Sequence, residues 1–284
     1  MVWLDCISPV RIGSWAMVML LVSAAGGQSL HETSSASVSR ASQSPAAGPV
    51  ADGRETAGMI VKGTNAFRAQ HDLPPVTENE SLQKAADYFA RFMAETDKYG
   101  HTADGNEPRD RARERGYQPC IVAENIASQF SSRALTPREL ADRFVDGWEH
   151  SEEHRRNMLD EDVTETGVAV AHSDKTDHYY AVQMFGRPKS LSIRVSLANR
   201  AGATVDYELA DHDFSLESQY IRTHELCRPT QLVVHDPNRS EEEQTRSIPI
   251  KADGSFVIDR GGNGELRISS EASQSATQPR AEPR

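Results

Sequence analysis

Residues 148–159 read Trp148-Glu149-His150-Ser151-Glu152-Glu153-His154-Arg155-Arg156-Asn157-Met158-Leu159 (WEHSEEHRRNML), and everything upstream and downstream depends on where this run breaks. Taken as one helix, His150 to His154 is H-x-x-E-H, an inverted zinc-protease motif. It needs both histidines on one helix face and a distant acidic third ligand. Broken at Ser151, the run is an N-cap serine followed by the first-turn carboxylates Glu152 and Glu153, with Met158 and Leu159 as the apolar side of a short new helix. His150 then points away from His154. The break is the better reading, because the motif is short and its surroundings are crowded with charge.

Upstream, Thr136-Pro137-Arg138-Glu139 opens a helix with an N-cap hydroxyl, proline at the first position and a capping-box glutamate. Leu140, Phe144 and Trp148 follow at four-residue spacing. Still further upstream, Glu124 stands between Val122-Ala123 and Ile126-Ala127. A carboxylate there requires a partner, a metal or structural hydrogen bonds, since unpaired acids are rarely buried. His101 follows Gly100 at the end of a helical segment. The stretch 102–116 (TADGNEPRDRARERG) is polar and charged, and within it Arg109 to Arg115 mixes charges of both signs and reads as a short exposed helix or loop. Downstream, 167–171 and 178–185 are β-branched and aromatic runs around a polar turn, which predicts an antiparallel hairpin.

Two helices precede this region. Ile60, Val61, Thr64, Phe67 and Arg68 mark the first, ended by Pro74-Pro75. Leu82, Ala85, Ala86, Phe89, Ala90 and Met93 form the apolar stripe of the second. From Leu191 onward only short strands are legible, at 192–197, 203–209, 220–223, 231–235, 246–250, 255–258 and 265–268. They predict a small antiparallel sandwich or barrel.

Arg11 followed by the apolar run 12–25 (IGSWAMVMLLVSAA) has the pattern of a secretory signal, too short to span a bilayer comfortably. The organisation expected is a signal peptide at 1–25, a disordered linker at 26–53, a first domain at 54–187, a β-rich domain at 188–268 and a disordered tail at 269–284. That predicts a secreted chain, extracellular or periplasmic, with no stable membrane span once the signal is cleaved. A net charge of −11 without a basic stripe argues against nucleic acid as a partner. An apolar fraction of 37% agrees with part of the chain lying outside any core. Cys6 would leave with the signal. Cys120 and Cys227 could pair in an oxidising compartment, or stay as two separate thiols in different domains.

Several motifs in the same order resemble the SCP-like CAP family of cysteine-rich secretory proteins, antigen 5 and pathogenesis-related proteins. Asn65, Arg68 and Leu73-Pro74-Pro75-Val76 look like its opening. Glu124-Asn125-Ile126 is similar to its GEN-type motif with Ala123 for the usual glycine, and Trp148, Ser151, His154, Arg155, Asn157, Met158 and Leu159 match the run of bacterial members. The resemblance covers about 56–187. It implies an α+β fold, an α-β-α sandwich with a central three-stranded antiparallel sheet, here followed by a small all-β domain.

The resemblance also implies a cleft lined by two histidines and two acids, carried over as His101, His154 and Glu124. The second acid falls at Ser151, so Glu149, Glu152 or Glu153 would have to substitute. A set of His101 and His154 with zinc or another divalent cation, a metal-free cleft for a lipid, small molecule or cell-surface ligand, and a hydrolase using Glu124 and His154 are all compatible with these residues. A structural or adhesive protein is a further alternative. Family fold alone does not choose among them.

Overall fold

Asp52 starts the first helix, α1 (Gly53–Gln70), because its carboxylate accepts the Arg54 and Glu55 amides that no helical carbonyl can reach. Asn79 does the same for α2 (Glu80–Thr96) through the Ser81 and Leu82 amides. The computed structural model describes residues 51–236 and 245–271. The expected signal, most of the expected linker and the tail beyond Glu271 lie outside these residues. Two expected boundaries move: Ala51 to Gly53 belong to the α1 start rather than to a linker, and residues 269–271 are strand rather than tail.

After α2 come α3 (Pro108–Glu114), β2 (Pro119–Phe130), α4 (Pro137–Glu149) and α5 (Glu152–Met158), then β3 (Glu165–Ser173) and β4 (His178–Pro188). A two-residue strand, β1 (Thr77–Glu78), lies between α1 and α2. The sheet order is β1-β3-β4-β2. β2, β3 and β4 are antiparallel as expected; the addition is β1, parallel to β3, too short for a periodicity to reveal. The β3–β4 hairpin forms around the polar turn. Thr136 and Glu139 make the reciprocal capping box at the start of α4.

Side chains alternate along these strands, so the sheet has two apolar faces. Tyr179, Ala181 and Phe185 of β4 pack with α1, α4 and Met158 of α5. Tyr180, Val182 and Met184 pack with the stripe of α2 and with Ala112 of α3. This is an α-β-α sandwich, and β2 is its edge strand. Within β2 the alternation sends Glu124 and Ile126 toward the α2 and α3 side, and Asn125 toward α5.

The β-rich region is two four-stranded sheets. One is β10-β9-β6-β7, from β6 (Val205–Leu209), β7 (His212–Leu216), β9 (Thr230–His235) and β10 (Thr245–Ile250). The other is β12-β11-β5-β8, from β5 (Ile193–Asn199), β8 (Ile221–Leu226), β11 (Gly254–Arg260) and β12 (Leu266–Glu271). Their inner faces share one core that includes Val195, Leu197, Tyr207, Leu232, Val234 and Ile258. Two details correct the sequence reading. β7 was not legible, because only Phe214 and Leu216 of its five residues turn inward. And β5 pairs with β11 in parallel, so the sandwich is not wholly antiparallel.

The described residues cluster as one compact unit. Cys120 and Cys227 form a disulfide that joins β2 to the end of β8. Among the described residues, no helix is long and apolar enough to cross a membrane.

Candidate functional site

α4 ends at Glu149 and α5 begins at Glu152, with Ser151 extended between them at φ −100° and ψ 120°. The helix breaks where the charge pattern predicts. His150 is turned to solvent, its Nδ1 donating to the Asp146 carbonyl at 2.8 Å, so the H-x-x-E-H reading is excluded. Ser151 corrects the reading in one respect: it caps by backbone position only, with no side-chain capping bond. Its Oγ is instead hydrogen-bonded to His154 Nδ1 at 2.8 Å.

The other half of the site grows from Glu124. Its side chain is 1% exposed, and its partner is Arg111, 0% exposed, whose Nη2 donates to Oε1 at 3.0 Å and Oε2 at 2.8 Å. Arg111 also donates to Asp104 Oδ1 at 2.8 Å and to the carbonyls of His101 and Asn106, both at 2.7 Å. Its guanidinium carbon lies 3.6 Å from the Phe89 ring centroid, on α2. Arg111 therefore fixes both the carboxylate and the backbone of His101. His101 Nδ1 completes the group by donating to Glu124 Oε1 at 2.8 Å, while its ring stays half exposed.

Arg111 is the residue that the sequence reading missed and placed in an exposed charged segment. The signal available was indirect. Ala112 is a small apolar residue inside RDRARERG, and a buried Glu124 demands a cation from somewhere.

Both halves meet over the free edge of β2. Asn157 Nδ2 donates to Asn125 Oδ1 at 2.9 Å and to the Glu124 carbonyl at 3.3 Å, and Asn125 Nδ2 donates to the His154 carbonyl at 3.1 Å. Trp148 Nε1 and the Tyr99 hydroxyl both donate to the Ile126 carbonyl at 3.2 Å, from opposite faces of the sheet. These side chains cover backbone groups that an edge strand would otherwise leave unpaired. Burial lowers the His154 pKa, and His101 lowers it further by charge, against a smaller opposing effect of Glu153. The two imidazoles are thus near enough to sense each other. Burial, and then Glu124, raise the Tyr99 phenol.

The structure therefore pairs Glu124 with His101 and Ser151 with His154. It does not place Glu124 on His154, the pair expected of a hydrolase. Each imidazole uses Nδ1 inward, and neither Nε2 has a hydrogen-bond partner among the described residues. The contact of His101 with the Glu124 carboxylate places a proton on Nδ1 and leaves Nε2 as the ring's other polar atom for a partner.

The donor set does not fit a resident metal. Glu124 is spent on Arg111 and His101, which leaves two imidazole nitrogens where zinc sites take three or four protein ligands. Among the described residues no group of three His, Cys, Asp or Glu could hold an ion. Two open concavities lie elsewhere, on the outer face of the β10-β9-β6-β7 sheet, one beside Glu208 and Val233 and the other beside Asp206 and His235.

Comparison with known proteins agrees with the motif order. The model of the cysteine-rich secretory protein family, CAP, matches residues 61–185. The uncharacterized protein YkwD of Bacillus subtilis is 30% identical over 115 residues, 40% of this chain and 42% of that protein, so this chain spans less than half of its length. Among solved structures, an extracellular protein containing an SCP domain from Bacillus anthracis is 25% identical, with 48% of this chain and 41% of that chain covered and a TM-score of 0.40. An outer surface protein from Borrelia burgdorferi is 19% identical, with 48% of this chain and 96% of that chain covered and a TM-score of 0.42. Residues 61–185 of this chain belong to the cysteine-rich secretory protein (CAP) family.

Proposed function

We propose that this is an extracellular CAP-domain protein that binds a small molecule or lipid headgroup at the β2 edge, through the Nε2 atoms of His101 and His154. The observation that carries the reading is the orientation of both rings. Each is anchored through Nδ1, to Glu124 or to Ser151, and each keeps partial access to solvent with no hydrogen-bond partner on Nε2 among the described residues. A cluster that served stability alone would have no need to leave two imidazole nitrogens unpartnered beside a fully buried ion pair. His101 would accept a hydrogen bond from a ligand hydroxyl or N–H, and a neutral His154 would donate or accept beside it. Secretion rests on the N-terminal pattern of Arg11 and the apolar run after it.

The test is calorimetric titration of the mature chain and its His101→Ala/His154→Ala variant with a panel of sterols and lysolipids, and separately with zinc alone. Saturable binding of a panel member that the variant loses supports the reading. Equal heats in both proteins for every panel member would sink it. Saturable zinc binding lost in the variant would instead assign the pair to a cation.

A second reading is an extracellular hydrolase, favoured by one contact. Ser151 Oγ and His154 Nδ1 are 2.8 Å apart, within proton-transfer reach of a hydroxyl and a base. Ester turnover that Ser151→Ala abolishes, with the fold retained, would support it over simple binding.

A further inference from the structure

Two consecutive residues of the β-sandwich, Cys227 and Arg228, grip β2, which carries Glu124, and the loop that follows α5, the helix of His154. Cys227 is disulfide-bonded to Cys120, which lies on β2 four positions before Glu124. Its side chain also packs against the core shared by α1 and α4. Arg228 donates from Nη1 to Asp160 Oδ1 at 2.7 Å and Asp162 Oδ2 at 2.8 Å, and from Nη2 to Asp160 Oδ2 at 2.5 Å. Asp160 and Asp162 belong to the loop that leaves α5, the helix of His154.

That loop is held from the other side too. Arg68, buried in α1, donates to the carbonyls of Met158 at 2.7 Å and Asp160 at 2.9 Å, and Arg187 donates to the Asp162 carbonyl at 3.2 Å. The Asp162 amide closes on Asp160 Oδ1 at 2.9 Å. Burial works against ionisation of Asp160, but the Arg228 hydrogen bonds, the Asp162 amide and the charges of Arg228 and Arg68 together outweigh it and keep its carboxyl below the usual range. α5 has seven residues, too few to persist without such ties. Its placement therefore depends on what its ends are fastened to.

We infer that the Cys227-Arg228 pair positions His154 relative to the Glu124–His101 dyad, so that the sandwich is a working part of the site. One arm fixes β2 by a covalent bond and the other fixes the end of α5 by charge-assisted hydrogen bonds. Adjacent residues cannot move apart, so the two arms hold the two half-sites at one spacing, together with the Asn125 and Asn157 hydrogen bonds between β2 and α5. The inference goes beyond ligand binding and stands on this geometry whether or not a ligand binds there.

The test is the His154 imidazole Cε1–Hε1 signal in a ¹H–¹³C spectrum, assigned with His154→Gln. It would be recorded for the native chain, for Arg228→Gln and for the native chain reduced with dithiothreitol. Arg228 is about half exposed, so its glutamine variant should fold. The expected result is a His154 signal that shifts or broadens in both altered states, while that of His212, on β7, stays in place. Amides of α5 should exchange roughly tenfold faster in Arg228→Gln, as loss of charged hydrogen bonds implies. A His154 signal that stays fixed while the thermal midpoint falls would make the pair a structural fastening only and overturn the inference. Should Arg228→Gln fail to fold, the reduced native chain gives the same decision.

Discussion

Arg111 shows what a buried charge demands of one residue. It, Glu124 and Asp104 are fully enclosed, so removing Arg111 strands two carboxylates in a medium that cannot solvate them. Arg111→Met should cost about 3–5 kcal/mol in chemical denaturation, and the double variant Arg111→Met/Glu124→Leu should recover part of that loss. A loss under 1 kcal/mol would contradict the enclosed pair. His154 gives a prediction of opposite character. Its pKa is lowered on folding, so the unfolded chain takes up the proton first as pH falls. Stability is full above the ordinary value near 6.5, declines below it, and levels off under the folded pKa. His224, lowered by burial and then by Arg222, adds to the same slope. His154→Gln should therefore flatten the fall in midpoint denaturant concentration between neutral and mildly acid pH. An unchanged slope would place the uptake elsewhere.

At the scale of elements, contact between α2 and β3 depends on the absence of a side chain. A Cβ on Gly167 would lie 2.2 Å from the Gln83 amide nitrogen and 2.3 Å from the Leu82 carbonyl carbon. Gln83 in turn binds the Val168 backbone as a strand would, donating to its carbonyl at 2.6 Å and accepting its amide at 3.1 Å. Gly167→Ala must push helix and strand apart, and should destabilise by about 1–3 kcal/mol or more. A thermal midpoint within error of the native value would refute the close approach. Helices and the hairpin were legible because each carries its own signal: a cap, a stripe or an alternation. β1 and β7 were not, since a two-residue strand has no period and a mostly outward-facing edge strand has almost no apolar pattern.

For the whole molecule, the Cys120–Cys227 disulfide closes a loop of 107 residues across the sandwich and the CAP domain. Chain-entropy arithmetic for a loop near 100 residues gives about 4–5 kcal/mol, and measured removals usually cost about 2–5 kcal/mol. Cys120→Ala/Cys227→Ala should lose that much at equilibrium. A loss spread over both the CAP core and the sandwich would follow from their shared fastening. A loss confined to local exchange near Cys227 would mean that the two regions are stabilised independently.

The sequence by itself determined the CAP fold, the break at Ser151, the strands of the second region other than β7, and the four polar residues His101, Glu124, Ser151 and His154. These follow from signals within a few residues of one another, which is the range over which caps, periodicity and motif spacing act. Only the tertiary structure decided which of the four are partners, that Arg111 neutralises Glu124, and that two cysteines in separate regions join. Those pairings depend on distances set by the packing of α3, α5 and β8 around β2, and no local pattern encodes a separation in space.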